Sequence, residues 1–211
     1  MSDTVLILVR HGETEWNAAG RIQGHLDIPL SDTGLTQAAA LGRRLGSEAF
    51  DAILSSDLER ALQTARPIVR HSEQTILFDT RLRERHLGVL QGLTGEEAAI
   101  RQPHAWGAFK ARIPEAVLEG GETYGEFSRR VVGLIEELLR THTGSRLLLI
   151  THGGVLDAAY RHATGMPLSA PRDFPIFNAS VNMLRHRNNL WTVESWGDVS
   201  HLPRELALDD T

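Results

Sequence analysis

Val5-Leu6-Ile7-Leu8-Val9 runs without interruption into Arg10-His11-Gly12-Glu13. Five apolar residues, two of them Val and one Ile, with no polar alternation, are expected of a strand buried on both faces of a parallel sheet. The pattern returns much later, where Leu147-Leu148-Leu149-Ile150 runs into Thr151-His152-Gly153-Gly154. Ligands of open α/β sheets bind beyond the carboxyl ends of the strands, near the point where strand order reverses. Two neighbouring strands of this kind aim two imidazoles into one crevice.

Outward from these strands, strand and helix signals alternate. Ser31 or Asp32 opens a helix near Thr33–Gly46 with Leu35, Ala38, Leu41 and Leu45 on its apolar face. Ala52-Ile53-Leu54 forms a second strand, and Ser56-Asp57-Leu58-Glu59 has the spacing of a capping box before another helix. Thr75–Phe78 is a third strand. From Arg81 to Glu122 the periodicity fades, and Pro103, Pro114 and several glycines mark an irregular insertion, a lid at about 85–122 with one or two short helices. A helix over about Thr123–Thr141, the strand Leu147–Ile150 and a helix over Val155–Ala163 follow. Ser180–Arg187 and Leu190–Ser195 flank Asn188-Asn189 as a hairpin. The fold class is α/β: a three-layer, doubly wound, mainly parallel sheet with an antiparallel edge, in one domain over 1–211.

Composition narrows the function. The chain has 211 residues, 41% hydrophobic and 23% charged, as for a globular protein able to bury roughly 70% of its extended surface. A net charge of −5 and the lack of any basic cluster argue against nucleic acid as a partner. The absence of cysteine excludes disulfides, thiolate catalysis and Cys-ligated zinc. No metal-ligand spacing is present and no cofactor is implied. The N-terminus lacks a signal-peptide pattern and no apolar run approaches a membrane span, so a cytoplasmic protein with no membrane partner is expected. The hairpin offers an edge for a homodimer, but an edge by itself specifies no partner.

Arg10 and His11 stand where a strand gives way to a loop. Arg10 disfavours the imidazolium of His11 and so keeps it a nucleophile, while Gly12 lets the backbone approach a ligand. Arg60 falls in the first turn after Ser56, where the helix dipole favours an anion; the plain alternative is a solvated charge paired with Asp57.

The run Leu8–Asn17 with Gly20-Arg21-Ile22-Gln23-Gly24, and the segments Pro29–Ala38, Ser55–Ala61, Leu82–Gly88, Gly120–Thr123 and Thr151–Gly154, occur in this order. Together they resemble the signature of the histidine phosphatase superfamily, which includes phosphoglycerate mutases, the phosphatase half of the bifunctional fructose-2,6-bisphosphate enzymes and many small bacterial phosphatases. The resemblance implies that His11 becomes a phosphohistidine, that Arg10, Arg60, Asn17 and His152 hold the phosphoryl group, and that Gln23 and Gly24 line the substrate entrance. Gly153 falls beside them. His152 is expected to be protonated when the phosphate dianion is bound. Glu84 is the expected general acid, protonating the leaving alkoxide; its alternative is an ion pair with the arginines of Arg81-Leu82-Arg83-Glu84-Arg85. His86 is placed to shape the site, whereas His25, His71, His104, His142, His162 and His186 read as surface or packing residues and His201 receives no role.

The implied reaction is metal-independent hydrolysis of a small soluble phosphate ester. Mutases of this superfamily carry an adjacent arginine pair for the substrate carboxylate in a longer segment after the acid. The pair available here, Arg129-Arg130, falls inside a helix, while Arg101, Lys110 and Arg112 are isolated. A phosphoglycerate mutase is the first alternative, and a non-catalytic phospholigand-binding module the second.

Overall fold

The structure, a computed structural model, describes residues 3–70 and 74–206. His71 therefore lies outside the described residues. Six strands form one sheet: β1 (Thr4–Arg10), β2 (Ala52–Ser55), β3 (Ile76–Phe78), β4 (Arg146–Thr151), β5 (Val181–Arg187) and β6 (Leu190–Asp198), in the order β3-β2-β4-β1-β5-β6. The first four are parallel, and β5 joins β1 antiparallel, with β6 on the edge. The expected mixed architecture is what the chain adopts.

β1 and β4 are direct neighbours, with Leu6 opposite Leu147 and Arg10 opposite Thr151. Their side chains alternate between two cores. Leu6, Leu8, Leu147 and Leu149 face α6 (Tyr124–Thr141) and α7 (Gly153–Thr164). Val5, Ile7, Val9, Leu148 and Ile150 face α2 (Asp32–Leu45) and α3 (Glu59–Val69). Burial on both faces explains why these strands read as unbroken apolar runs, each large side chain contributing about 1.5–3 kcal/mol. The same register sets His11 and His152 side by side, since each follows the last paired residue of its strand.

Local chemistry accounts for most helix ends. Ser31 caps α2 by accepting from Gly34 N, and Thr123 makes a capping box with Glu126 at α6. Gly165, at φ 71°, ends α7 in the left-handed conformation. Asn188 and Asn189, at φ 51° and 62°, form the two-residue hairpin turn. Two expectations fail. Leu35 is 46% exposed, because α2 turns Gln37, Ala38 and Leu41 to the core instead. Ser56 does not cap α3; Leu58 occupies that position with no side-chain bond, and the Ser56 hydroxyl is engaged elsewhere.

The irregular stretch contains α4 (Gly95–Arg101) and α5 (Pro103–Lys110), with Pro103 starting the second. It gathers a small core of its own around Leu87, Leu90, Ala98 and Leu118. A short helix, α1 (Glu15–Ala18), lies between β1 and α2. No helix among the described residues is long and apolar enough to cross a membrane.

Candidate active site

A cleft of about 880 Å³ opens at the carboxyl ends of the parallel strands. Arg10, His11, Asn17, Gln23, Gly24, Arg60, Glu84 and Gly153 all line it. A second groove, about 850 Å³, lies beside Thr4, Trp191 and the hairpin turn and holds none of the expected residues.

His11 and His152 pack in a T-shaped arrangement, ring centroids 5.1 Å apart. His11 is 3% exposed, and its Nδ1 lies 2.7 Å from Gly12 O. A carbonyl only accepts, so Nδ1 carries the proton and Nε2 keeps its lone pair. Burial, then the charge of Arg60, then that of Arg10, hold this imidazole well below its ordinary pKa. Arg10 thus acts as expected but ranks third. From behind, Asn178 Nδ2 and Ala179 N both donate to His11 O, at 3.2 Å each.

Gly12 has a reason other than ligand approach. A Cβ there would stand 2.6 Å from Gly34 O, so the first turn of α2 excludes any side chain. The loop is further clamped by Gly12 N donating to Thr64 Oγ1 and Glu13 N donating to Gln37 Oε1.

Arg60 is 1% exposed and not a solvated helix charge. Its guanidinium donates to His152 Nδ1, Leu26 O and Gly24 O at 3.2, 2.9 and 2.8 Å. Burial lowers its pKa to about 10, against the opposing pull of Glu84 and Asp27. Asp57, the alternative partner, pairs with Arg83 at 2.5 Å. Gly24, at φ 54°, thus serves as a backbone anchor for Arg60 as well as a cleft residue. Arg10 Nη1 donates to Ile176 O at 2.5 Å, so both arginines are pre-oriented by carbonyl groups.

His152 is completely buried, its Nδ1 facing Arg60 and its Nε2 2.8 Å from Ser56 Oγ. It therefore stands behind the cleft surface, in contact with His11 and Arg60. Burial, followed by the charges of Arg60 and Arg10, keeps it well below its ordinary pKa.

Glu84 escapes the ion pairs its neighbours offered. Arg81 binds Asp79 and Glu137, Arg83 binds Asp57, and Arg85 donates to Glu122 O. The Glu84 carboxylate instead accepts from Arg85 N at 2.7 Å and from Gly154 N at 2.9 Å. It is thereby docked at the N-terminus of α7, beside the phosphoryl pocket. A side chain on Gly154 would meet the carboxylate, which explains the second glycine after His152.

Asn17 lines the cleft, and its Oδ1 accepts from Thr14 N and Thr14 Oγ1 in the cap of α1. Gln23 is buried with Oε1 lacking a protein partner.

Arg130 and His25 contribute without a local signal, and Arg112, read as an isolated basic residue, lines the cleft. Arg130 donates to the carbonyls of Arg81, Arg83 and Glu84 and pairs with Glu122, fixing the segment that presents the carboxylate. His25 Nε2 lies 2.8 Å from Glu84 O, and its ring packs on His86, so His25 belongs to the site's frame rather than to a featureless surface. Arg112, at φ 52°, pairs with Asp157 and meets Tyr124, and with Lys110 and Arg172 it lines the far part of the cleft; Arg101 is exposed outside it. Only a long-range contact reveals such roles.

The sequence profile of the histidine phosphatase superfamily (branch 1) matches residues 6–199. A metal-independent phosphoserine phosphatase of Arabidopsis thaliana is 42% identical over 202 residues, covering 94% of this chain and 83% of that one. Phosphoglycerate mutase-like protein 4 of the same plant is 41% identical, covering 93% and 86%. A mutant phosphoserine phosphatase of Entamoeba histolytica, solved in complex with phosphoserine, superposes with a TM-score of 0.85 at 26% identity, covering 95% and 100%.

Proposed function

The chain belongs to the histidine phosphatase superfamily, and from that premise we propose that it is a metal-independent phosphomonoesterase working through phosphohistidine at His11. The observation that carries this reading is the state of His11: neutral, its Nδ1 proton tied to Gly12 O, and its Nε2 lone pair left at a cleft walled by two buried arginines. Nε2 attacks phosphorus, the P–O ester bond breaks, and Glu84 delivers a proton to the leaving oxygen. Water then attacks phosphohistidine, Glu84 takes its proton, and inorganic phosphate leaves. Arg10 and Arg60, with Asn17, hold the equatorial oxygens, and the N-terminus of α7 at Gly153 adds its dipole.

Arg130 is committed to the Glu84 segment, which argues against an arginine pair for a mutase substrate and favours hydrolysis. Phosphoserine, phosphoglycerate derivatives, sugar phosphates and α-ribazole phosphate define the substrate panel. The mutase reading is retained as the alternative because of the 41% identical relative. The stretch at about 85–122 is proposed as the cleft's lid within a single domain, and the protein is proposed to act in the cytoplasm.

The test is transfer of phosphate from an aryl phosphate without added metal. Acid-labile label on the native protein, absent from His11→Ala, is expected; equal labelling of both would exclude the mechanism. Interconversion of 3- and 2-phosphoglycerate with little phosphate release would replace hydrolysis by mutase chemistry.

A further inference from the structure

Ser56 is the hydroxyl that the capping pattern assigned to a helix and that the fold uses otherwise. It stands one residue beyond β2, completely buried, its N–H donating to Ile150 O at 2.9 Å. Its Oγ lies 3.4 Å from Leu58 N, at the limit of a hydrogen bond, but 2.8 Å from His152 Nε2. On the opposite side of the ring, Nδ1 faces Arg60 Nε at 3.2 Å. A guanidinium N–H has no acceptor capacity, so Nδ1 must be the bare nitrogen and the ring proton sits on Nε2. Arg60 lines the cleft, so Nδ1 is the ring nitrogen whose partner reaches the phosphoryl pocket.

We propose that Ser56 is a positioning residue for phosphoryl transfer, accepting the Nε2–H of His152 so that bare Nδ1 faces the incoming phosphate monoester. The proposal rests on the phosphatase reading of this site. A substrate monoanion entering the cleft transfers its P–OH proton to Nδ1: the O–H bond breaks, the N–H bond forms, the ester becomes a dianion, and the Arg60 Nε–H that Nδ1 had accepted turns to a phosphoryl oxygen. His152 then donates from Nδ1 to a phosphoryl oxygen and, still, from Nε2 to Ser56. Without that hydroxyl, the buried cation would keep one N–H unpaired.

The groups around the ring explain why the anion is required. Burial first, then Arg60 on α3 and Arg10 at the end of β1, oppose a positive charge there, and His11 and His25 from the loop before α2 would do so once protonated. The carboxylate of Glu84 acts on Arg60 within the same cluster. Protonation of His152 is thereby coupled to occupancy of the phosphoryl site.

Nitrogen-15 NMR of the histidine-labelled protein, free and with inorganic phosphate, reads the proton positions directly. The free protein is expected to show neutral His152 with the proton on Nε2, and the phosphate complex a doubly protonated ring. An Nδ1–H tautomer in the free protein would overturn the proposal. Ser56→Ala is expected to lower kcat on an alkyl phosphate about tenfold to a hundredfold with little change in KM. The basic limb of kcat should move to lower pH, because the protonated ring loses its acceptor. Ser56→Thr, which keeps the hydroxyl, should restore both. A Ser56→Ala variant with the native pH profile would count against the proposal, and if it fails to fold the spectrum of the native protein decides alone. The spectrum needs no turnover, so missing phosphohistidine would defeat the phosphatase reading without deciding this one.

Discussion

The β1–His11 and β4–His152 junctions are nearly alike in sequence, adjacent in the sheet and aligned in register, yet their imidazoles are left in opposite conditions. His11 is followed by a loop, and its one ring bond runs to the carbonyl of the next residue. That local tether leaves Nε2 available at the cleft. His152 is the residue preceding α7, and both of its ring nitrogens are engaged from other elements, by Arg60 on α3 and Ser56 after β2. The glycines differ as well. Gly12 is required by the backbone of α2, whereas Gly153 meets only ordinary contacts at 3.4 Å and beyond. A strand-end histidine is therefore an address; the nucleophile is the one whose reactive nitrogen the fold leaves unoccupied.

The largest expected effect follows from this asymmetry. His11→Ala should lose at least about 10⁴-fold in kcat, since the covalent route disappears. Glu84→Gln should cost about 10²–10⁴-fold on alkyl phosphates but far less on aryl ones, which leave without protonation. His152→Ala should fall near 10²–10³-fold, as for loss of one donor to developing charge, and should still form phosphoenzyme. Steady-state rates and labelling of the three variants check the order. A His152→Ala variant as inactive and unlabelled as His11→Ala would erase the division of roles.

The glycines give a smaller difference, read by urea unfolding. Gly12→Ala should destabilise by about 1–3 kcal/mol, because its Cβ collides with backbone that cannot rotate away. Gly153→Ala should stay within about 0.5 kcal/mol. Equal losses would show that the two loops are under the same constraint.

Stability against pH gives a separate readout of the buried histidines. His11 and His152 sit well below their ordinary pKa, and burial together with Arg44 takes His201 down to about 4. In the window from about 6.5 down to 4, the unfolded chain binds protons at these positions that the folded chain refuses, so stability must fall as pH falls. Thermal unfolding is expected at lower temperature at pH 5 than at pH 7.5. His201→Asn should flatten part of that slope, and no change would show that His201 gains its proton without cost to the fold.

How much of this was legible depended on range. The periods of β1, β4 and α6, the hairpin at Asn188-Asn189 and the positions of His11 and Arg60 are local patterns, and the described structure places each in its expected element, whereas Glu84 was named by the resemblance alone. Leu35 departs from its expected burial because helical spacing admits two adjacent faces, and packing in the core shared with α3 and the sheet chooses between them. Ser56 followed the capping-box spacing but was diverted by a histidine 96 residues away. The ion pairs that stood as the alternative for Glu84 do not form, because Arg81, Arg83 and Arg85 each found a partner elsewhere in the chain.

By itself the sequence determined which strands are buried on both faces and which side chains stand at their ends, because hydrophobic period and strand termini are properties of a few consecutive residues. Tertiary structure alone decided which nitrogen of each histidine is bare, how Arg60 is aimed and what holds Glu84. Those outcomes depend on hydrogen-bond partners from separate elements, and a buried polar group takes whichever partner the packing brings within about 3 Å.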